Sequence, residues 1–156
     1  MGRTGQPMVL NKIPVTLWIC GTADKMHESD SKSISDWNRF WLETYRELGG
    51  TSDESGSKGC PRAAAYGLWN LGRVRESGRQ ARRLSVREVN RELGKNAAYA
   101  VIAVDLLQRG ASQSASSLWP LVQARYTELT DEAPADSEQG EIKLVVALFC
   151  EGQLLV

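Results

Sequence analysis

Residues 34–48 read ISDWNRFWLETYREL, and their spacing decides the fold. Trp37, Phe40, Trp41, Thr44, Tyr45 and Leu48 fall at i, i+3, i+4, i+7, i+8 and i+11, one continuous face of an α-helix. Ser33 or Ser35 can accept from the free amides of the first turn. Gly49-Gly50 ends the helix, because glycine enters the left-handed cap conformation without a steric penalty. A strand would need a period of two, which this stretch lacks.

Reading on from this helix, residues 51–59 form a polar loop with no apolar anchor. Pro61 suits the first turn of a second helix, where its missing amide costs nothing. That helix carries Ala64, Leu68 and Leu71, and Gly72 closes it. Residues 73–84 are an arginine-rich connector, irregular around Gly78. Ser85 with Glu88 has the spacing of a capping box and opens a short helix bearing Val86, Val89 and Leu93, stopped by Gly94. The next helix, Ala97 to Arg109, is apolar nearly all round and is expected to be the buried centre. Asp105, its one charge before the end, then needs a partner such as Arg109. Ser116 or Ser117 opens a further helix with Pro120 in its first turn and Leu118, Leu121, Val122, Arg125, Tyr126 and Leu129 on its face. A polar loop, residues 130–137, leads to a last apolar segment, Ile142 to Cys150, ended by Gly152.

In the other direction the signal fades. Residues 22–33 are polar and read as a loop. Residues 11–20 fit either a strand, from Val15, Thr16 and Ile19, or a helix capped by Asn11 with Pro14 in its first turn. Residues 1–10 form a leader without a period. The chain is therefore divided into a leader with an ambiguous first element, residues 1–33, and a helical domain, residues 34–156.

Within that domain the pattern repeats. Trp37, Phe40, Trp41, Tyr45, Glu47 and Leu48 align with Leu118, Leu121, Val122, Tyr126, Glu128 and Leu129, and Ala64–Trp69 aligns with Leu144–Phe149. Gly72 then matches Gly152. The common order of helix, polar loop, helix and glycine implies an internal duplication, and it makes residues 141–150 a helix although Ile142 to Val146 alone would pass for a strand. The expected fold is all-α, with six or seven short helices and a duplicated helix–loop–helix unit around the central 97–109 helix. Trp41, Leu68, Val101, Val104, Val122, Leu148 and Phe149 are expected to be buried.

Lys58-Gly-Cys-Pro61, Ala64 to Gly72, Lys95-Asn-Ala-Ala-Tyr-Ala100 and Ser137 to Gly152 together resemble a bacterial family of short helical proteins, a domain of unknown function. The resemblance spans about residues 34–153 and implies an all-helical duplicated domain. It implies no activity.

Composition narrows the function classes. Lys and Arg total 19, as do Asp and Glu, so the net charge is zero. That balance hides a segregation. Arg73, Arg75, Arg79, Arg82, Arg83, Arg87, Arg91 and Lys95 stand against Glu76, Glu88 and Glu92, whereas residues 128–141 hold six acids and no base. Cys20, Cys60 and Cys150 are odd in number and widely spaced, which suits a reducing cytoplasm rather than a disulfide framework. No apolar run approaches the ~20 residues that span a bilayer. The reading is a cytoplasmic protein with no membrane contact.

Few residues could carry chemistry. Cys60 precedes Pro61 at a helix N-terminus near Lys58, where a thiolate would be favoured, but the one histidine is His27 in the expected polar loop. The plainer reading makes Cys60 a small residue fitting the turn. Cys20, His27, Cys60 and Cys150 lack metal-ligand spacing, and the glycines match no phosphate or dinucleotide loop, so no cofactor is expected. The arginines are the most informative group. Arg79, Arg82, Arg83, Arg87 and Arg91 are the candidate partner-binding residues, with Arg79, Arg82, Arg87 and Arg91 expected on the surface. Three readings follow: a non-enzymatic module binding a protein partner, such as an acidic one; a nucleic-acid accessory protein using Arg73 to Lys95; and a cysteine-dependent enzyme at Cys60. Aromatic residues for base stacking are absent from the basic stretch. The arginines could instead answer the acidic 128–141 segment, within one chain or between copies.

Overall fold

The computed structural model describes residues 7–75 and 77–155; residues 1–6 of the leader, Glu76 of the basic stretch and Val156 lie outside the described residues. Among those described, the fold is helical apart from one small hairpin. Strands β1 (Val9–Leu10) and β2 (Ile13–Pro14) pair antiparallel, Leu10 opposite Ile13. Asn11 and Lys12 both have positive φ, 52° and 69°, as a two-residue hairpin turn requires.

Helix α1 (Val15–Glu28) follows directly. It resolves the ambiguity of residues 11–20 in favour of both elements, a hairpin and then a helix, and it overturns the expected loop over residues 22–28, leaving residues 29–33 as the loop. The physical reason lies in the stripe Val15, Trp18, Ile19, Thr22, Ala23 and Met26, all buried at helical spacing. Thr22 enters this stripe by donating its hydroxyl to the Trp18 carbonyl at 2.8 Å. Helix α2 (Ile34–Glu47) begins as expected, with the Ser33 hydroxyl accepting from Asp36 N–H. Trp18 stacks on Trp41 at 4.3 Å between ring centroids and donates its Nε1–H to the Trp41 carbonyl at 2.9 Å. Trp37 continues the cluster toward Trp69 at 5.2 Å. The first 33 residues thus contribute a helix to the same core as the rest.

Residues 51–59 are not wholly irregular: α3 (Asp53–Gly56) is a single turn whose Gly56 packs on the Tyr45 ring. Helix α4 (Gly59–Asn70) and α6 (Lys95–Gln108) approach closely where a Cβ on Gly67 would fall 2.5 Å from Ala97 Cβ. Between them, α5 (Val86–Leu93) starts at the Ser85/Glu88 capping box, formed in both directions. Helix α6 is the centre, packed by α4, α5, α7 and α8. Its Val104 is fully buried, but Val101 is only half-buried.

Helix α7 (Ala115–Thr130) begins earlier than expected, with Ser114 as cap. Its inward face is also rotated: Trp119 is buried, edge-on to Tyr99 at 5.1 Å, while Leu121 is 50% exposed. Helix α8 (Glu141–Cys150) is a helix rather than a strand, with Leu148 buried and Phe149 half-buried. Among the described residues no helix is long and apolar enough to cross a membrane.

Candidate functional site

The arginine connector is shaped by the end of α4. Gly72 adopts φ 71°, and any Cβ there would meet the Ala81 backbone at 2.6 Å, so the chain turns sharply and later returns against itself. On the way out Val74 bridges Leu154 antiparallel, with Arg75 N–H donating to the Gln153 carbonyl at 2.9 Å and Leu155 N–H to the Arg73 carbonyl at 2.7 Å. On the way back Arg82 N–H donates to the Leu71 carbonyl at 2.9 Å. This loop brings Arg82 and Arg83 to the side of Arg73, just before Ser85 opens α5.

The five candidate arginines separate into three environments. Arg79 is half-buried rather than exposed: its guanidinium lies 4.7 Å over the Trp69 ring and donates to the Asn70 carbonyl at 3.3 Å. The apolar ring supplies the reason for that departure, since an arginine stem packs well on it. Arg87 and Arg91 are exposed on α5, and Arg87 pairs with Asp131 at 3.0 Å. Arg82 and Arg83 are exposed; Arg82 donates to the Asn70 side-chain oxygen, and Arg83 has no ion pair among the described residues.

A pocket of about 300 Å³ lies beneath Arg82 and Arg83, between the connector, α5, α6 and α7. Arg73 and Arg125 complete its cationic rim, and Leu84, Val86, Val101 and Leu129 form an accessible apolar floor. Asp105 is the carboxylate in the lining, and it is held by Arg109 at 3.1 Å. Arg125 is answered by Glu128. Burial, and then the nearby Arg83 charge, hold the Arg73 guanidinium below its ordinary value, with Asp105 opposing weakly. Like charges therefore face one another across this pocket.

The acidic 128–141 segment is mostly engaged elsewhere. Glu132 accepts from Asn90 and from the Tyr126 hydroxyl, which also donates to Asn90. Burial and Glu132 push the Tyr126 phenol up to about 12. Glu138 caps α8, accepting from the N–H groups of Gly140, Ile142 and Lys143. Glu141 is buried and accepts from Gln139 N–H at 2.9 Å; burial raises its carboxyl above the ordinary range. Among the described residues, Arg87–Asp131 is the ion pair that joins the basic stretch to this segment.

Cys60 sits in the first turn of α4, half-buried. Burial pushes its thiol up, the Glu141 and Glu138 charges push the same way, and Asn96 and Lys58 oppose them. The helix N-terminus thus fails to produce a favoured thiolate here. His27 lies elsewhere, in the last turn of α1 beside Gly78. No cluster of three His, Cys, Asp or Glu suited to a metal occurs among the described residues.

Sequence reasoning missed the pocket itself. Arg125 stood within an otherwise apolar helix face, which was the available signal, and Val101 and Leu129 looked like ordinary core. The chain belongs to DUF6979, a family of unknown function, whose profile matches residues 20–155. Neither the curated proteins nor the solved structures contain a match to the chain.

Proposed function

We propose that the chain is a non-enzymatic protein-interaction module that receives an acidic partner on the arginine surface led by Arg82 and Arg83. One observation carries this reading. Arg73, Arg82 and Arg83 converge on one pocket rim, where the lining carboxylate, Asp105, already serves Arg109. Cations gathered without local compensation gain from an incoming anion, and such complementarity governs which partners are accepted. The floor beside them is aliphatic, which suits a protein partner better than the stacked bases of a nucleic acid. A raised Cys60 thiol favours the structural role for that residue over a nucleophilic one.

The reading extends to an internal duplication. In its favour, α1 and α6 are both 14 residues long and start 80 positions apart, at Val15 and Lys95. The α4 and α8 ends also match at that offset: Arg73 N–H bonds the Leu68 carbonyl as Gln153 N–H bonds the Leu148 carbonyl. The repeating unit would then be three helices, α1-α2-α4 and α6-α7-α8, with α5 and the arginine connector inserted between them.

The test is a fluorescence-anisotropy titration with a labelled octapeptide of alternating glutamate and aspartate, beside a single-stranded oligonucleotide of equal charge. The peptide should bind, and R82Q/R83Q should weaken it about tenfold with unchanged thermal unfolding. Preferential binding of the oligonucleotide, or equal peptide binding by the double variant, would overturn the proposal.

A further inference from the structure

The pocket beneath Arg82 and Arg83 has a second property, which charge alone does not explain. Leu84, Val86, Val101 and Leu129 come from the connector, α5, α6 and α7, and each is left half-buried where the four converge. Val101 belongs to the central helix, whose neighbours Ala100 and Ile102 are closed off by the core. The chain's own packing thus stops short of covering these side chains. Around them stand Arg73, Arg82 and Arg83, three charges against one lining carboxylate that also holds Arg109.

From this juxtaposition we infer that the pocket takes the apolar anchor of an acidic peptide segment, a leucine- or phenylalanine-sized side chain flanked by carboxylates. The inference rests on the protein-binding reading above and specifies its partner. A volume of about 300 Å³ is at the lower limit of small-molecule pockets and fits one large side chain. The cationic surface also continues past the pocket, where Arg91 of α5 and Lys95, which opens α6, line a neighbouring groove together with Glu132 and the Asp131-paired Arg87. A compact ligand would leave Arg91 and Lys95 unused, whereas the flanking carboxylates of an extended acidic chain reach them. Binding energy at protein surfaces concentrates where such an anchor enters a pocket ringed by polar contacts.

The experiment compares two synthetic octapeptides with identical acidic flanks, one with phenylalanine at its centre and one with alanine. They are titrated against the parent chain, Val86→Ser, and Val101→Phe, which fills the pocket from its floor; melting curves report folding. The phenylalanine peptide should bind the parent at least about tenfold more tightly, and both variants should reduce its affinity to that of the alanine peptide. Because the two variants change the floor in opposite senses, one removing volume and one adding it, agreement between them does not depend on either one's stability. Equal binding of both peptides, still dependent on Arg82 and Arg83, would overturn the anchor and leave the acidic partner standing. An anchor preference that survives both variants would place the apolar contact elsewhere and also overturn it. Failure of both peptides to bind the parent would remove the protein-binding reading itself.

Discussion

The arginine connector, residues 73–84, and helix α5 hold the same kind of charge but meet different surroundings. On α5, Arg87 faces Asp131, and Asn90 ties Glu132 and Tyr126 to the same face. On the connector, Arg82 and Arg83 stand over an aliphatic floor with Asp105 already held by Arg109. A basic run in the sequence is therefore two surfaces in space, one partly answered from within and one open. Segregated charge becomes a functional signal only after the internal pairs have been subtracted, since exposed charges beyond a Debye length of ~8 Å hardly sense each other.

The strongest way to break this contrast is to remove the helix beneath both surfaces. Val104 of α6 is fully buried, and Val104→Asp would place a carboxylate where neither water nor a partner is available. The expected loss exceeds about 4 kcal/mol, enough to abolish cooperative unfolding in a calorimeter. A normal, sharp transition in this variant would show that α6 does not organise the two surfaces.

Within the connector itself, Arg79 and α5's Arg87 should differ sharply. Arg79→Ala removes a guanidinium packed on Trp69 and bonded to the Asn70 carbonyl, and should cost about 1–2 kcal/mol in urea unfolding. Arg87→Ala breaks an exposed pair and should cost less than about 0.5 kcal/mol. Equal costs would mean that Arg79 is another surface cation.

How much of this was legible beforehand depends on whether a feature is local. The α2 stripe, the Ser85/Glu88 box and the glycine stops after α2, α4, α5 and α8 are set within a few residues and are present as read, whereas Gly21, which reads as a stop, lies inside α1. Helix α1 escaped because its stripe runs through Thr22, Ala23 and Met26, whose polarity or size hides the period until Trp18 and Ile19 are included. The turn of α7 was misjudged because Trp119 and Leu121 are both apolar, and only Tyr99, from α6, decides which one faces inward. The pocket was least legible of all. Its lining joins Arg73 to Leu129 across four elements, so no window of sequence contains it. The Arg87–Asp131 pair was foreseeable as a charge balance but not as a choice of partners.

A smaller effect tests the acidic side of the contrast. Burial raises the folded-state carboxyl of Glu141 above its ordinary value of 4.5. Between those two values the native state keeps a proton that the unfolded chain has lost, so this group subtracts stability progressively as pH rises through that range. Glu141→Gln retains an acceptor for Gln139 N–H without the ionisation. Its melting temperature should exceed the parent's by a few degrees at pH 7 and match it at pH 4. A loss of stability at pH 7 would instead make the Glu141 charge a favourable one.

The central claim is that Arg82 and Arg83 are open whereas Arg87 is already answered, and affinity for the alternating acidic octapeptide measures it directly. Replacing Arg82 and Arg83 by glutamine should weaken binding about tenfold, whereas Arg87→Gln, whose charge Asp131 already offsets, should change it less than about threefold. A loss on Arg87→Gln equal to or greater than that of the double variant would contradict the account, because the answered surface would then be the one that binds.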